Sequence, residues 1–241
     1  MTGGKRIAGA LLGALMATGL VAAASGAEPR PALYVYVHTD SKSATLEKTL
    51  QDRMPSLTVT VFGRFRDFEE AMTSRRPDAV VALQPLLASQ NVPVALQGLR
   101  GEHDSEPYVL LSPGQALEGP LSGKVIGVVD LLGRDGTQEF VTKLLKTPDL
   151  KLKRVTKMED LLPLLQFSAA DAVLVPAAAV KSVTERSRLP LKVREIPEAR
   201  VGLPAVGVLN IKVKDLLVKQ VQGLDGDTNR TLGVEKWKGG K

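Results

Sequence analysis

The sequence predicts a two-lobed α/β protein with parallel-rich sheets flanked by helices. Three observations carry that expectation. Short β-branched runs alternate with helical spacings from residue 32 onward, the order that builds βαβ units and a parallel sheet. The alternation breaks at a cluster of turn formers (Pro113, Gly114, Gly119, Pro120 and Gly123) and then starts again. A last strand and helix, residues 206–224, find no partner in the second set and therefore return to the first.

The first unit opens with the strand Ala32–Val37. A helix follows from Ser43 to Met54, its apolar residues Leu46, Leu50 and Met54 spaced for one face. Ser41 or Ser43 is placed to cap it, and Pro55 closes it. Leu57–Phe62 is a strand, and Arg66–Arg75 a helix with Phe68, Ala71 and Met72 on one side. Asp78–Leu83 is a buried strand ending at Gln84-Pro85. Residues 86–99 are apolar but interrupted by Pro93 and Gly98. Pro107–Ser112 is another strand.

The breaker cluster is the expected crossover between lobes. Beyond it, Val125–Val129, Leu150–Val155, Asp171–Val175 and Leu191–Ile196 are strands, with helices at 138–145, 158–167 and 177–186. Asp78-Ala-Val-Val and Asp171-Ala-Val-Leu hold the same place in the two units. Val206–Asn210 is the returning strand and Lys212–Leu224 its helix. The last residues form a short polar tail around Trp237, the only tryptophan. The expected division is residues 28–118 with 206–241 for the first lobe and 119–205 for the second.

Residues 1–27 stand apart. Lys5 and Arg6 precede an apolar run, Ile7–Ala24, and Ser25-Gly26-Ala27 supplies the small residues of a cleavage site. This is the pattern of a secretory signal peptide, which predicts export to the periplasm or beyond. A retained anchor is the alternative, since the run is about long enough to span a bilayer. The chain has no cysteine. A lipid-anchored cysteine is thereby excluded, as are disulfides, and the fold must stand on its core. Removing residues 1–27 leaves 214 residues, enough for one large domain or two small lobes. The 32 basic and 26 acidic residues give a net charge of +6, scattered rather than striped. That argues against a nucleic-acid partner and leaves a slight bias towards anions.

Four stretches, taken in order, resemble a known family. They are FRDFEEAMTSRRPDAVVALQPLL, EPYVLLS, GKVIGVVD and EDLLPLLQFSAADAVLVP. The chain resembles type 2 periplasmic solute-binding proteins, and its local wording is similar to the phosphate/phosphonate-binding branch. The resemblance covers most of residues 31–224. It implies a Venus-flytrap monomer that closes on a small ligand between its lobes and delivers it to an ABC-type membrane transporter. It implies no cofactor. The branch carries a hydroxyl-rich turn after the first strand of the second lobe, and this chain departs from it: Asp130-Leu-Leu-Gly-Arg-Asp-Gly-Thr137 keeps one hydroxyl.

Ligands in open α/β sheets gather at the carboxyl ends of strands. The candidates are therefore His38, Thr39 and Ser41 after the first strand, Arg64 after the second, Gln84 after the third, Arg134, Gly136 and Thr137 in the Gly-rich turn, and Pro176. Arg64 and Arg134 could fork onto a phosphate or carboxylate, so an oxyanion or small carboxylate is the expected ligand. Capping by Thr39, Ser41 and Asp135 is the competing role. Tyr34 and Tyr36 are expected to pack. Only two histidines are present, and no nucleophile elbow, Walker A loop or dinucleotide fingerprint occurs. Nothing positive argues for an enzyme. A third class remains open: a sensory or accessory module, partnered by a sensor rather than a permease, that kept the scaffold and changed or lost the small ligand. An occupied or flat cleft would favour it.

Overall fold

The computed structural model describes residues 29–39 and 41–240. The expected leader, residues 1–27, lies outside the described residues, as does Asp40. The first unit runs β1 (Ala32–Tyr36), α1 (Ser43–Arg53), β2 (Thr58–Val61), α2 (Phe65–Ser74), β3 (Ala79–Leu83), α3 (Gln84–Ser89) and β4 (Val94–Leu99). The second runs β5 (Ser105–Pro113), β6 (Val125–Val129), α4 (Gly133–Leu144), β7 (Lys151–Val155), α5 (Leu161–Gln166), β8 (Ala172–Pro176), α6 (Val180–Arg186) and β9 (Leu191–Gly202). The chain ends with β10 (Pro204–Val208), α7 (Lys214–Gln222), α8 (Gly226–Thr231) and β11 (Lys236–Gly239).

Two sheets result, with strand orders β11-β4-β10-β3-β1-β2 and β7-β6-β8-β5-β9. In each, three parallel strands (β2-β1-β3 and β7-β6-β8) are extended by antiparallel ones. β3 and β8 read as near-continuous apolar runs because helices cover both faces of each sheet. α1 buries Leu46 and Leu50, and α2 buries Phe65 and Phe68. The lysine-bearing β7 and the exposed half of β9 lie at the two edges of the second sheet, where charge blunts strand-to-strand association.

The repeated Asp-Ala signal has a structural counterpart. Asp78 accepts from the Ala32 N–H at 2.8 Å, and Asp171 accepts from the Val125 N–H at 2.7 Å. Both span 46 residues. Each carboxylate ties the entry of its unit's third parallel strand to the entry of the first, which fixes their register.

Several expectations are corrected. The chain leaves the first sheet after β4 and enters the second at β5, so the passage falls at Arg100–Asp104 rather than in the breaker cluster at 113–123. It returns between β9 and β10, at Gly202–Pro204. The broken apolar stretch contains a strand, β4, in which Gly98 is required by close approach. A Cβ there would fall 2.3 Å from the Pro204 carbonyl oxygen. The polar tail is not loose: β11 pairs with β4, and the Trp237 indole donates to buried Asn229 at 2.8 Å. Among the described residues no helix is long and apolar enough to cross a membrane.

Candidate functional site

Two strand-to-helix turns face each other where the lobes meet: β1 to α1 in the first lobe and β6 to α4 in the second. The first turn begins with Tyr36, whose ring stacks on Phe68 at 5.4 Å and meets Phe65 edge-on at 6.0 Å. Two residues on, the His38 imidazole lies edge-on to Tyr36 at 5.4 Å. Both its ring nitrogens are buried without a hydrogen-bond partner. Burial pulls its pKa down to about 4, although the backbone and carboxylate of nearby Asp130 favour the charged form. His38 is therefore a neutral imidazole at pH 7. α1 starts with Lys42 as its N-cap and no side-chain cap, so neither Ser41 nor Ser43 does the capping expected of it. Thr39 instead accepts from the Ser41 N–H at 3.2 Å.

The second turn satisfies itself. The Thr137 hydroxyl, fully buried, accepts from the N–H groups of Leu131 and Leu132 at 3.1 and 2.9 Å. It donates to one Asp130 carboxylate oxygen at 2.8 Å, and Arg154 donates to the other at 3.2 Å. The single hydroxyl of the turn is thus committed to its own loop. Gly133, at φ +75°, starts α4.

This turn is seated on the first lobe. The Tyr36 hydroxyl donates to the Asp130 carbonyl at 3.0 Å. Leu132 packs against the aromatic cluster of Tyr34, Tyr36, Phe65 and Phe68. A Cβ at Gly133 would lie 2.6 Å from the Phe65 ring. Glycine is needed there twice, for its left-handed backbone and for the ring that lies against it. Burial and the nearby Asp130 charge push the Tyr36 phenol pKa up, so it remains a donor.

The candidates inferred from sequence divide accordingly. His38 is inside the junction, and Gly136 and Thr137 support the turn that fills it. Gly136 backs closely onto Leu132, and Thr137 acts from within. Arg134 is exposed on α4, and Arg64 is exposed and paired with Asp67 at 2.9 Å. Neither arginine is held in the junction by a hydrogen bond. Gln84 belongs to the connection between lobes: its N–H donates to the Leu203 carbonyl at 3.3 Å, and its side chain lies against Gly202. Pro176 ends β8 opposite Tyr108. Sequence reasoning missed Phe65, Asp130, Leu132, Gly133 and Arg154, and it assigned Tyr36 to packing alone. The available signal was position: Asp130 and Tyr36 end equivalent strands.

No family model and no curated protein sequence matches the chain. Solved structures do. An L-cystine ABC transporter protein of Listeria monocytogenes, described as putative, superposes with a TM-score of 0.60 at 13% identity, covering 87% of this chain and 98% of that one. The substrate-binding protein of an amino acid ABC transporter gives 0.58 at 17%, covering 84% and 96%. The GluR0 ligand-binding core of Nostoc punctiforme, in complex with L-glutamate, gives 0.58 at 13%, covering 84% and 95%. At such identities the likeness is one of fold: the two-lobed, type 2 periplasmic-binding-protein architecture. These three neighbours are not phosphonate binders by description, and the resemblance to the phosphate/phosphonate-binding branch finds no support in them.

Proposed function

We propose that this chain is an exported two-lobed solute-binding protein that holds a small polar solute between the strand ends of β1 and β6 and presents it to a membrane transporter of the ABC type. One observation carries the reading. The ends of the equivalent strands β1 and β6 meet across the junction, bringing a neutral imidazole with two unused nitrogens, a phenol and a carboxylate–guanidinium pair to the same place. Strand carboxyl ends are where open α/β folds take ligands.

The chemistry at the junction narrows the solute. Asp130 brings a carboxylate already paired with Arg154, able to attract a solute ammonium, and His38 offers one donor and one acceptor. That set suits a small zwitterion better than a free oxyanion, which would meet Asp130 without an uncommitted cation. The amino-acid descriptions of the fold neighbours support the same choice. The reading is one of binding rather than catalysis.

A second reading is favoured by one specific observation, the seating of Leu132 and Gly133 on the Phe65 cluster. A junction occupied by the protein's own side chains fits a sensory or accessory module in which lobe movement, rather than delivery of a solute, is the output.

A thermal-shift screen of the purified chain separates the two. Amino acids, small carboxylates, phosphate and phosphonates would each be tested. A ligand confined to the folded state raises stability by about 2.7 kcal/mol at a hundredfold excess over Kd. A clear shift with one amino acid supports solute capture, a shift only with phosphate or phosphonates replaces the zwitterion by an oxyanion, and a flat screen over a cooperative melt favours the sensory reading.

A further inference from the structure

Three contacts join the lobes at one spot. The Tyr36 hydroxyl donates to the Asp130 carbonyl, Leu132 enters the aromatic cluster of the first lobe, and Gly133 lies against Phe65. They differ in kind: one is a directed hydrogen bond, one is apolar burial, and one is a close approach that only glycine permits. All three come from residues 130–133, a segment braced from inside by Thr137 and Arg154. The same closure covers His38, whose two ring nitrogens stay buried without partners. Burying an unpaired donor and acceptor opposes folding, so the closed arrangement persists because the other contacts outweigh that cost.

We propose that the Asp130–Gly133 segment is a built-in plug: it holds the lobes closed on each other through Tyr36 and Phe65, and any solute reaches His38 only by lifting it. The resting form is then the closed form. Binding is a competition between solute and plug, and weakening the plug opens the lobes and tightens binding by removing the competitor. The passages at Arg100–Asp104 and Gly202–Pro204 are the two connections about which the lobes would part. The inference concerns the protein without solute and holds for either reading of its function.

The absence of native cysteine allows a direct test. Cysteines introduced at exposed Lys48 on α1 and exposed Lys181 on α6 would carry a donor and an acceptor dye for single-molecule energy transfer, with no solute added. The unvaried plug is expected to give one closed population. Tyr36→Phe removes one interlobe hydrogen bond and is expected to raise the open population roughly threefold to tenfold. Leu132→Asn, which takes a polar group into the aromatic cluster, is expected to raise it further. Circular dichroism and a cooperative melt confirm that each variant folds, and Tyr36→Phe decides alone if Leu132→Asn does not. An open or broad distribution in the unvaried chain would overturn the proposal. So would folded variants that keep its single closed population.

Discussion

The β1–α1 and β6–α4 turns occupy equivalent places in two units of the same topology, yet they solve the same problem in opposite ways. Each must end a buried parallel strand and find partners for the polar groups of the turn that follows. The second turn finds its partners within the chain: Thr137 takes the N–H groups of Leu131 and Leu132, and Arg154 neutralises Asp130. The first does not. Neither α1 nor α4 has a side-chain cap, but in the first turn His38 keeps two unused nitrogens. A turn that is satisfied internally can be pressed against a neighbour at little cost. A turn that is not satisfied is the one with bonds left to offer. The difference marks the second turn as self-satisfied and the first as the one that keeps unpaired polar groups.

The contrast can be broken most forcefully at Gly133. Gly133→Val places a β-branched side chain at φ +75° and against the Phe65 ring. It is expected to cost about 4 kcal/mol in urea unfolding, from left-handed strain and overpacking together. A loss below about 1 kcal/mol would mean that the turn is not seated as described. Thr137→Val, nearly isosteric, strands two N–H groups and one Asp130 oxygen. About 3 kcal/mol should be lost, whereas Thr137→Ser should cost less than about 1 kcal/mol because the hydroxyl survives.

His38 sharpens the first-turn side by pH. Its folded pKa, about 4, lies below the ordinary 6.5. The unfolded chain therefore binds the extra proton first as pH falls, and stability is lost through that window. The His38 contribution amounts to about 3 kcal/mol at most between pH 7 and pH 4. Urea melts across that range should show a shallower slope in His38→Gln than in the unsubstituted chain. Parallel slopes would place the imidazole in water.

The register carboxylates compare the lobes themselves. Asp78 makes a second bond, accepting from the Asn210 side chain at 2.7 Å, whereas Asp171 is backed by Lys124 at 4.0 Å. Asp78→Ala should cost about 2 kcal/mol and Asp171→Ala about 1 kcal/mol, measured by thermal melts. Equal losses would erase the distinction. The smallest effect belongs to Arg134→Ala, within about 0.5 kcal/mol, because its side chain is exposed on α4. Solute affinity should also be unchanged, contrary to the anion-fork role the sequence suggested for that residue.

The fold was largely legible because it is periodic. Apolar spacing placed α1 and α2, and the two Asp-Ala runs marked β3 and β8. The crossover was misplaced because Pro and Gly density reports a long loop, not a change of sheet. Residues 113–123 are such a loop within the second unit, while the passage at Arg100–Asp104 is short. β11 hid in a polar tail because a four-residue edge strand needs only pairing with β4 and one tryptophan anchored on Asn229. The site was half legible. Strand-end logic pointed to His38, which lies inside the junction. It could not tell that the Thr137 hydroxyl is spent on its own loop, or that Leu132 crosses to the other lobe, because both depend on tertiary placement rather than local pattern.

The most direct test is a proton NOE experiment on the chain without solute, with selectively labelled glycine and phenylalanine. A cross-peak between the Gly133 α protons and the Phe65 ring protons, alongside the within-lobe contact of Tyr36 with Phe68, is the predicted result. The within-lobe contact present and the Gly133–Phe65 cross-peak missing would show two sound lobes that do not close on each other, and would contradict the account.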